Sequence, residues 1–299
     1  MSCCAKATQR NEKSIMSNDG PRSWRATELS NKDHEEALNF LALRPLHTVF
    51  MASLISENGI VSERNRGAFY GVRSVDGKFS GIGLIGHATL IEARNDGAMQ
   101  ALASGARSTP IPIVLTRGER HEINRFWTCY QASDTQPRLV CNEQLLVHHS
   151  RHSRLTTTDK IRPATRKHLE DVININVDLF ISESGRNPMK DNPYGFRERI
   201  ARRIDRKRVW ISHDNHGITF KADIVADTPQ AIYLESIWVN PKRRGQGHGL
   251  ECLTNLNSLL LRRTDAICVT VNEKFRGLTA FYQKAGFNKH SSYQTIYLC

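Results

Sequence analysis

No stretch of this 299-residue sequence approaches the ~20 apolar residues that cross a bilayer. Its opening segment, MSCCAKATQRNEKSIMSNDG, has no apolar core of the signal-peptide kind. Together these absences lead us to expect a soluble, cytoplasmic protein. Seven cysteines, an odd number, are scattered apart from the Cys3-Cys4 pair, and no C-x-x-C or zinc-like spacing occurs. We read them as small buried hydrophobes or idle thiols and expect no metal. A phosphate-binding loop closing in Gly-Lys-Ser/Thr is absent too. The one literal G-x-G-x-x-G, Gly81 to Gly86, falls inside the arm of a hairpin and reads as a glycine-rich strand.

What is present is charge and regular patterning. The net charge of +12 favours a polyanionic partner such as nucleic acid or a phosphorylated cofactor. RERIARRIDRKR (197–208) is the densest basic segment. It reads as a helix whose arginines mostly face water, with anion binding as the second reading. It contains no aromatic residue on which bases could stack, which argues against a nucleic-acid partner.

The chain, 39% hydrophobic, is long enough for two domains. Residues 1–24 show no periodicity and read as a disordered tail. Helices are expected at 33–44 and 47–57, then a hairpin about Asp76-Gly77 and a strand in HATLIEA. A helix at 96–105, a strand in IPIVLT, a helix at 119–132 and a strand in PRLVCNEQLLV follow. The polar stretch 148–159, with its three histidines, reads as a linker. Beyond it the same order recurs: helices in RKHLEDVININVDLFISESG and 194–206, a strand pair at 208–227, and the strand AIYLESIWV. A helix at 246–263, the strand AICVTVN, a helix in KFRGLTAFYQKAG and the strand HSSYQTIYL complete it. We infer an internal duplication, 25–147 and 160–299.

AIYLESIWV, the helix after it and AICVTVN make a βαβ unit with parallel strands. NPKRRGQGHGLECL (240–253) sits where its first strand meets its helix. Unpartnered N–H groups and the positive end of the helix dipole favour an anion there, and glycines let phosphate oxygens approach the main chain. Arg244, Gly247 and Gly249 therefore suit a pyrophosphate. Leu250, Leu253, Leu256 and Leu260 form the core stripe of the helix. Glu235 is the only carboxylate in the preceding strand, so it is either a general base with apolar neighbours or a solvated glutamate. His216 and His248 are alternative bases.

Arg244-Gly245-Gln246-Gly247-His248-Gly249, following WVNP, resembles the acyl-CoA pyrophosphate loop of the GCN5-related N-acetyltransferases (GNATs). VNEKFRGLTAFYQKAGF (271–287) resembles the second signature of that family, with Asn272, Tyr282 and Gly286-Phe287 at matching offsets. Phe275 stands where many members carry an asparagine. The resemblance covers about 160–299. The first half shares the element order and a similarity to the amino-terminal domains of some bacterial members.

The resemblance implies an α/β fold of two tandem GNAT-like domains. Each would have a mixed, mostly antiparallel sheet with a central splayed parallel pair and flanking helices. It implies acyl transfer, most simply of acetyl from acetyl-CoA to a primary amine, with Tyr282 as the acid. Main-chain groups of Trp238 and Val239 would pair with pantetheine. Arg243, Arg244, Gly245, Gln246, Gly247, His248 and Gly249 would hold the pyrophosphate, with Asn272 and Phe275 near the pantetheine arm, while Lys242 stays solvated. The first half lacks Arg-x-x-Gly-x-Gly, so one cosubstrate per chain is expected. Acylation of a protein lysine or N-terminus is the second reading, and a non-catalytic CoA- or nucleic-acid-binding module the third.

Overall fold

The computed structural model describes residues 24–131, 136–149 and 161–298. In the first half, β1 (Ala26–Glu28) leads through α1 (His34–Leu41) and α2 (Pro45–Asn58) to β2 (Gly67–Arg73), β3 (Phe79–Gly86) and β4 (Ala88–Ala93). Then come α3 (Asp96–Ser108), β5 (Leu115–Glu119), α4 (Arg120–Tyr130) and β6 (Leu139–His149). The second half runs β7 (Arg162–Pro163), α5 (Leu169–Ser184), α6 (Pro188–Asp191), α7 (Pro193–Asp205), β8 (Val209–Asp214), β9 (Gly217–Asp227) and β10 (Ile232–Val239). It ends with α8 (His248–Leu260), β11 (Ala266–Asn272), α9 (Arg276–Lys284) and β12 (Asn288–Tyr297). Among the described residues no helix is long and apolar enough to cross a membrane.

Local chemistry explains the element ends. Pro45 opens α2 with a preset backbone dihedral and no N–H to lose. Gly185, at φ +72°, closes α5 and donates its N–H to Ile181 O at 2.8 Å. Asp76-Gly77 turns β2 into β3, with Gly77 at φ +81°. Leu253, Leu256 and Leu260 of α8 are buried against Ile232, Leu234, Ile267 and Val269 on the two parallel strands, as their spacing predicts. Each such aliphatic side chain contributes roughly 1.5–3 kcal/mol by leaving water.

All twelve strands join one sheet in the order β1-β2-β3-β4-β5-β12-β6-β11-β10-β9-β8-β7. Reading inward from one end gives three antiparallel steps to β4, a parallel step to β5, then β12. Reading inward from the other gives three antiparallel steps to β10, a parallel step to β11, then β6. Each half therefore carries the expected mixed sheet with a parallel pair, and the halves exchange their last strands. β6 lies along β11 from Glu143 to His149, and β12 lies along β5. α2 of the first half covers this centre, where Val49, Leu46 and Phe50 pack on Leu145, Val147, Tyr233, Cys268 and Tyr293.

Two readings of the sequence need correction. IPIVLT is not a strand from its start, because β5 begins at Leu115, where β4 and β12 first engage it. His148 and His149 belong to β6 rather than to a linker. His148 is buried beside the Phe287 ring, its Nδ1 3.3 Å from Asn257 Nδ2, and Gly286 at φ +95° leaves the room its ring occupies. Residues 150–159 of the expected linker and 1–23 of the expected tail lie outside the described residues.

The exchange makes each half depend on the other for a strand. A fragment starting at residue 161 leaves β11 without β6, an open apolar edge. It is expected to show no cooperative thermal transition by circular dichroism, whereas the full chain unfolds in one. A cooperative transition in the fragment would contradict the dependence.

Candidate active site

The site begins with a departure from regular pairing in β10. Ile232 and Tyr233 pair with Ile267 and Cys268 of β11, and beyond them the two parallel strands separate. On its other edge β10 pairs with β9, and the register slips between Glu235 and Trp238. The slip is a bulge in which Ser236 takes φ +52°, a left-handed conformation uncommon for a residue with a side chain.

A fully buried cation supports the bulge from below. Lys221 Nζ lies 3.2 Å from Ser236 O, 3.0 Å from Asn176 Oδ1 and 2.8 Å from Asp223 Oδ1. Arg203 Nη1 meets the other carboxylate oxygen of Asp223 at 2.9 Å. Two carbonyl oxygens accept from the ammonium and the Asp223 carboxylate offsets its charge, which is what allows such a group to stay dry. Loss of hydration pulls the pKa of Lys221 down, and Asp223 opposes that pull.

At the far end of β10 the glycine-rich loop is exposed from Pro241 to Gly247. Gly245 at φ +73° and Gly247 at φ +79° have nothing within 4 Å of where a side chain would start, so backbone conformation, not crowding, is what demands glycine there. Glu251 N–H is bonded to Gly247 O at 3.0 Å. The amides of His248, Gly249 and Leu250 precede that first helical bond and have no acceptor one turn back in α8. Gly249 has a different duty, since a Cβ on it would lie 2.6 Å from Val239 Cγ2, and its absence lets α8 sit close on β10.

Neighbouring side chains brace the loop. Arg243 pairs with Asp214 at 2.5 Å, and Arg244 Nε donates to Val239 O at 3.0 Å. Each keeps further N–H donors on its guanidinium. Gln246 Nε2 donates to Lys242 O at 3.0 Å, and His248 Nε2 lies 3.0 Å from Thr219 Oγ1. Lys242 is exposed. Asn272 Oδ1 accepts from Lys274 N–H at 3.0 Å and shapes the turn into α9, where Phe275 is 52% exposed. Trp238 is half-buried against the cluster that α5, α7 and β8 form. His216 is exposed on the β8–β9 turn beside the Asp214–Arg243 pair, on the loop side of the site.

The chemistry-bearing groups collect where β10 and β11 part. Tyr282 of α9 is buried, with Phe281 and Phe287 meeting its ring edge-on. Burial first, then the charge of Glu183, holds its phenol well above the usual tyrosine range. Glu235 is paired with Arg117 at 2.5 Å. Arg117 comes from β5 of the first half, and it also donates to Tyr233 Oη at 2.8 Å and to Thr270 Oγ1. β10 stands four strands from β5, roughly 19 Å on a flat sheet. The sheet therefore curls until a first-half arginine enters the second-half cleft.

Glu183 and Arg117 were both missed in the sequence. Glu183 occupies the last turn of α5. By surface area it is exposed, yet the surrounding protein strips hydration from its carboxyl, as happens to a group lining a cleft open on one side. Loss of hydration, then the like charge of Glu235, lifts it to about 7 while Arg117 opposes. Its partners lie in other elements, so no local motif marks it. Arg117 had a faint signal, since 117 and 119 are charged positions on one face of a short strand.

The corresponding place in the first half is closed. Asn95 Oδ1 caps α3 by accepting from Ala98 N–H at 2.8 Å, and the Trp24 ring lies where a Cβ on Gly97 would be. Asp96, paired with Arg125 at 2.7 Å, puts negative charge at the helix start.

No protein-family model and no curated protein matches this sequence. Solved structures do resemble it. A Drosophila protein superimposes with a TM-score of 0.68 at 10% identity, covering 92% of this chain and 98% of its own. A tandem GNAT protein from the clavulanic acid biosynthesis pathway gives 0.57 at 11%, covering 92% and 99%. A GNAT-family acetyltransferase from Colwellia psychrerythraea gives 0.57 at 12%, covering 92% and 100%. The chain has the tandem GNAT fold.

The close approach of α8 to β10 gives a direct test. Gly249→Ala should lower stability by about 1–3 kcal/mol through overpacking, and Val239→Ala in the same chain should restore most of it, read as midpoints of urea unfolding. Additive losses in the double variant would remove Gly249 from that contact.

Proposed function

We propose that this chain, having the GNAT fold, is an acyl-CoA-dependent N-acyltransferase whose second half carries the reaction, with acetyl-CoA as the simplest donor and a primary amine as acceptor. The observation that carries the reading is the run of main-chain amides from 245 to 250, exposed as far as Gly247, at the start of α8 and at the mouth of a slot between diverging parallel strands. Helix dipole and free N–H groups suit the diphosphate of such a donor. Gly245 and Gly247 leave the main chain accessible, and Arg243 and Arg244 flank it with charge. Main-chain groups of β10 past Tyr233 have no strand partner on the β11 side, which suits the amides of a pantetheine arm.

Bound acyl-CoA supplies the thioester. Attack needs a neutral amine, and the departing thiolate needs a proton. Tyr282 is a protonated phenol at neutral pH and serves as that acid. For the base, Glu235 and Glu183 are the candidates within the cleft. Glu235 is held by Arg117, whereas Glu183 has no ion pair among the described residues and takes up a proton near neutrality. We assign proton removal to Glu183, and to Glu235 with Arg117 the placing of the incoming amine.

Isothermal titration of the full chain with acetyl-CoA should show micromolar-range binding. Gly247→Glu, which forces a side chain and a negative charge into the loop, should abolish it. Absence of heat with the unaltered chain would remove the enzyme reading. Tyr282→Phe should keep the binding heat and lose ~10²–10⁴ in kcat, and unchanged turnover would reassign the acid. Since a base works only deprotonated, kcat/KM should climb as pH passes about 7. Glu183→Gln should flatten that rise, and an unaltered profile would return the role to Glu235.

A further inference from the structure

The bulge in β10 decides which main-chain groups the slot receives. From Glu235 to Trp238 this strand takes three steps where β9 takes two, from Asp223 to Lys221, so Ser236 and Ile237 together stand opposite Ala222. Past the bulge, Asn240 N–H is bonded to Thr219 O of β9 at 3.0 Å. Main-chain groups of successive strand residues alternate between the two edges, so the N–H of Val239 points away from β9 and into the slot. Its carbonyl, on the same edge, accepts from Arg244 Nε of the glycine-rich loop at 3.0 Å. A regular strand from Glu235 onward would reverse this phase. The groups of Val239 would then turn to β9, and those of Trp238 would take the slot.

The extra residue is not held by its own strand. Ser236, at φ +52°, is in a backbone region that persists only where the surroundings enforce it. Lys221 Nζ meets its carbonyl at 3.2 Å. The ammonium is in turn fixed from two helices. Asn176 of α5 commits its Nδ2 to Val172 O at 3.0 Å and so turns Oδ1 to Lys221 at 3.0 Å. Asp223, 2.8 Å from the ammonium, is gripped by Arg203 of α7 at 2.9 Å. Lys221 and Asp223 are fully buried, and their neighbours across β8, Ile211 and Val209, belong to the apolar cluster under α5 and α7. Apolar side chains of similar volume commonly replace such a buried pair without loss of stability, so packing alone does not require an ammonium here. The carbonyl of Ser236 does.

We propose that Lys221 is a positioning residue for the donor: it holds Ser236 left-handed and thereby aims the N–H of Val239, rather than that of Trp238, at the pantetheine arm. The hold on the bulge stands on the geometry alone. Its consequence for the donor rests on the acyl-CoA reading.

Thermal unfolding of the full chain tests the hold. Lys221→Met should lower Tm, and by several degrees less in a Ser236→Gly background, because glycine takes that backbone angle without support. Equal losses in the two backgrounds, or no folded protein in either, overturn it. The donor clause is read by isothermal titration with acetyl-CoA. Lys221→Met/Asp223→Leu removes the buried pair and leaves Arg203, which is partly exposed, to water. It should regain the Tm of the unaltered chain to within a few degrees, yet bind acetyl-CoA about tenfold more weakly. Full Tm with full affinity would make Lys221 a structural residue only and overturn the clause. Should the Tm not return, Lys221→Met is compared with Lys221→Met/Ser236→Gly, of which the second should bind more tightly. Equal binding overturns the clause. If acetyl-CoA does not bind the unaltered chain, the transferase reading and the donor clause fall together, while the unfolding comparison still decides what holds the bulge.

Discussion

The exchange of β6 and β12 is the constraint from which the rest of the architecture follows. Each half builds a parallel pair that separates, and each then needs an antiparallel strand to cover the open edge of its fifth strand. Here that strand comes from the other half. The result is one sheet whose centre is made of both halves and whose curvature carries β5 toward β10. A domain joined only by a linker could not hold Arg117 against Glu235, Tyr233 and Thr270. The same closeness brings Arg206 and Arg208 to Glu57 of α2.

Electrostatics divides the cleft into regions of different character. The loop before α8 presents amides and arginines. The place where the strands part presents Glu183, Glu235 and a phenol that stays protonated. Under this arrangement the first half helps to build the cleft of the second. Its own slot is closed by Asn95, Asp96 and Trp24, while it lends Arg117 to the cleft of its neighbour. Beneath Ser236 the buried Lys221 lies among three oxygens, one of them the carbonyl of Ser236 itself, and so braces the bulge that opens the slot.

Much of this was legible in the sequence where the determinants are local. Helical spacing of leucines placed α8, alternation about Asp76-Gly77 placed a hairpin, and the repeated element order announced the duplication. Gly245 and Gly247 could be read because a left-handed backbone at a strand-to-helix turn demands glycine. What escaped depends on partners distant in the chain. His148 looks like part of a polar linker until β11 and β12 flank its strand and Phe287 covers its ring. IPIVLT reads as a continuous strand because hydrophobicity reports burial, and only the partners of β5 decide where pairing begins. Glu183 and Arg117 belong to no motif, since their roles arise from a cleft whose walls come from both halves. The arginine-rich helix was read as mostly facing water, whereas Arg203, Arg206 and Arg208 serve as bridges to β9 and α2.

Amide hydrogen exchange of the full chain, with and without acetyl-CoA, tests the central claim most directly. Protection should rise at residues 245–250 and along 234–239, and stay unchanged at 95–99 at the start of α3. Protection appearing at 95–99, or absent from 245–250, would contradict a single donor slot in the second half.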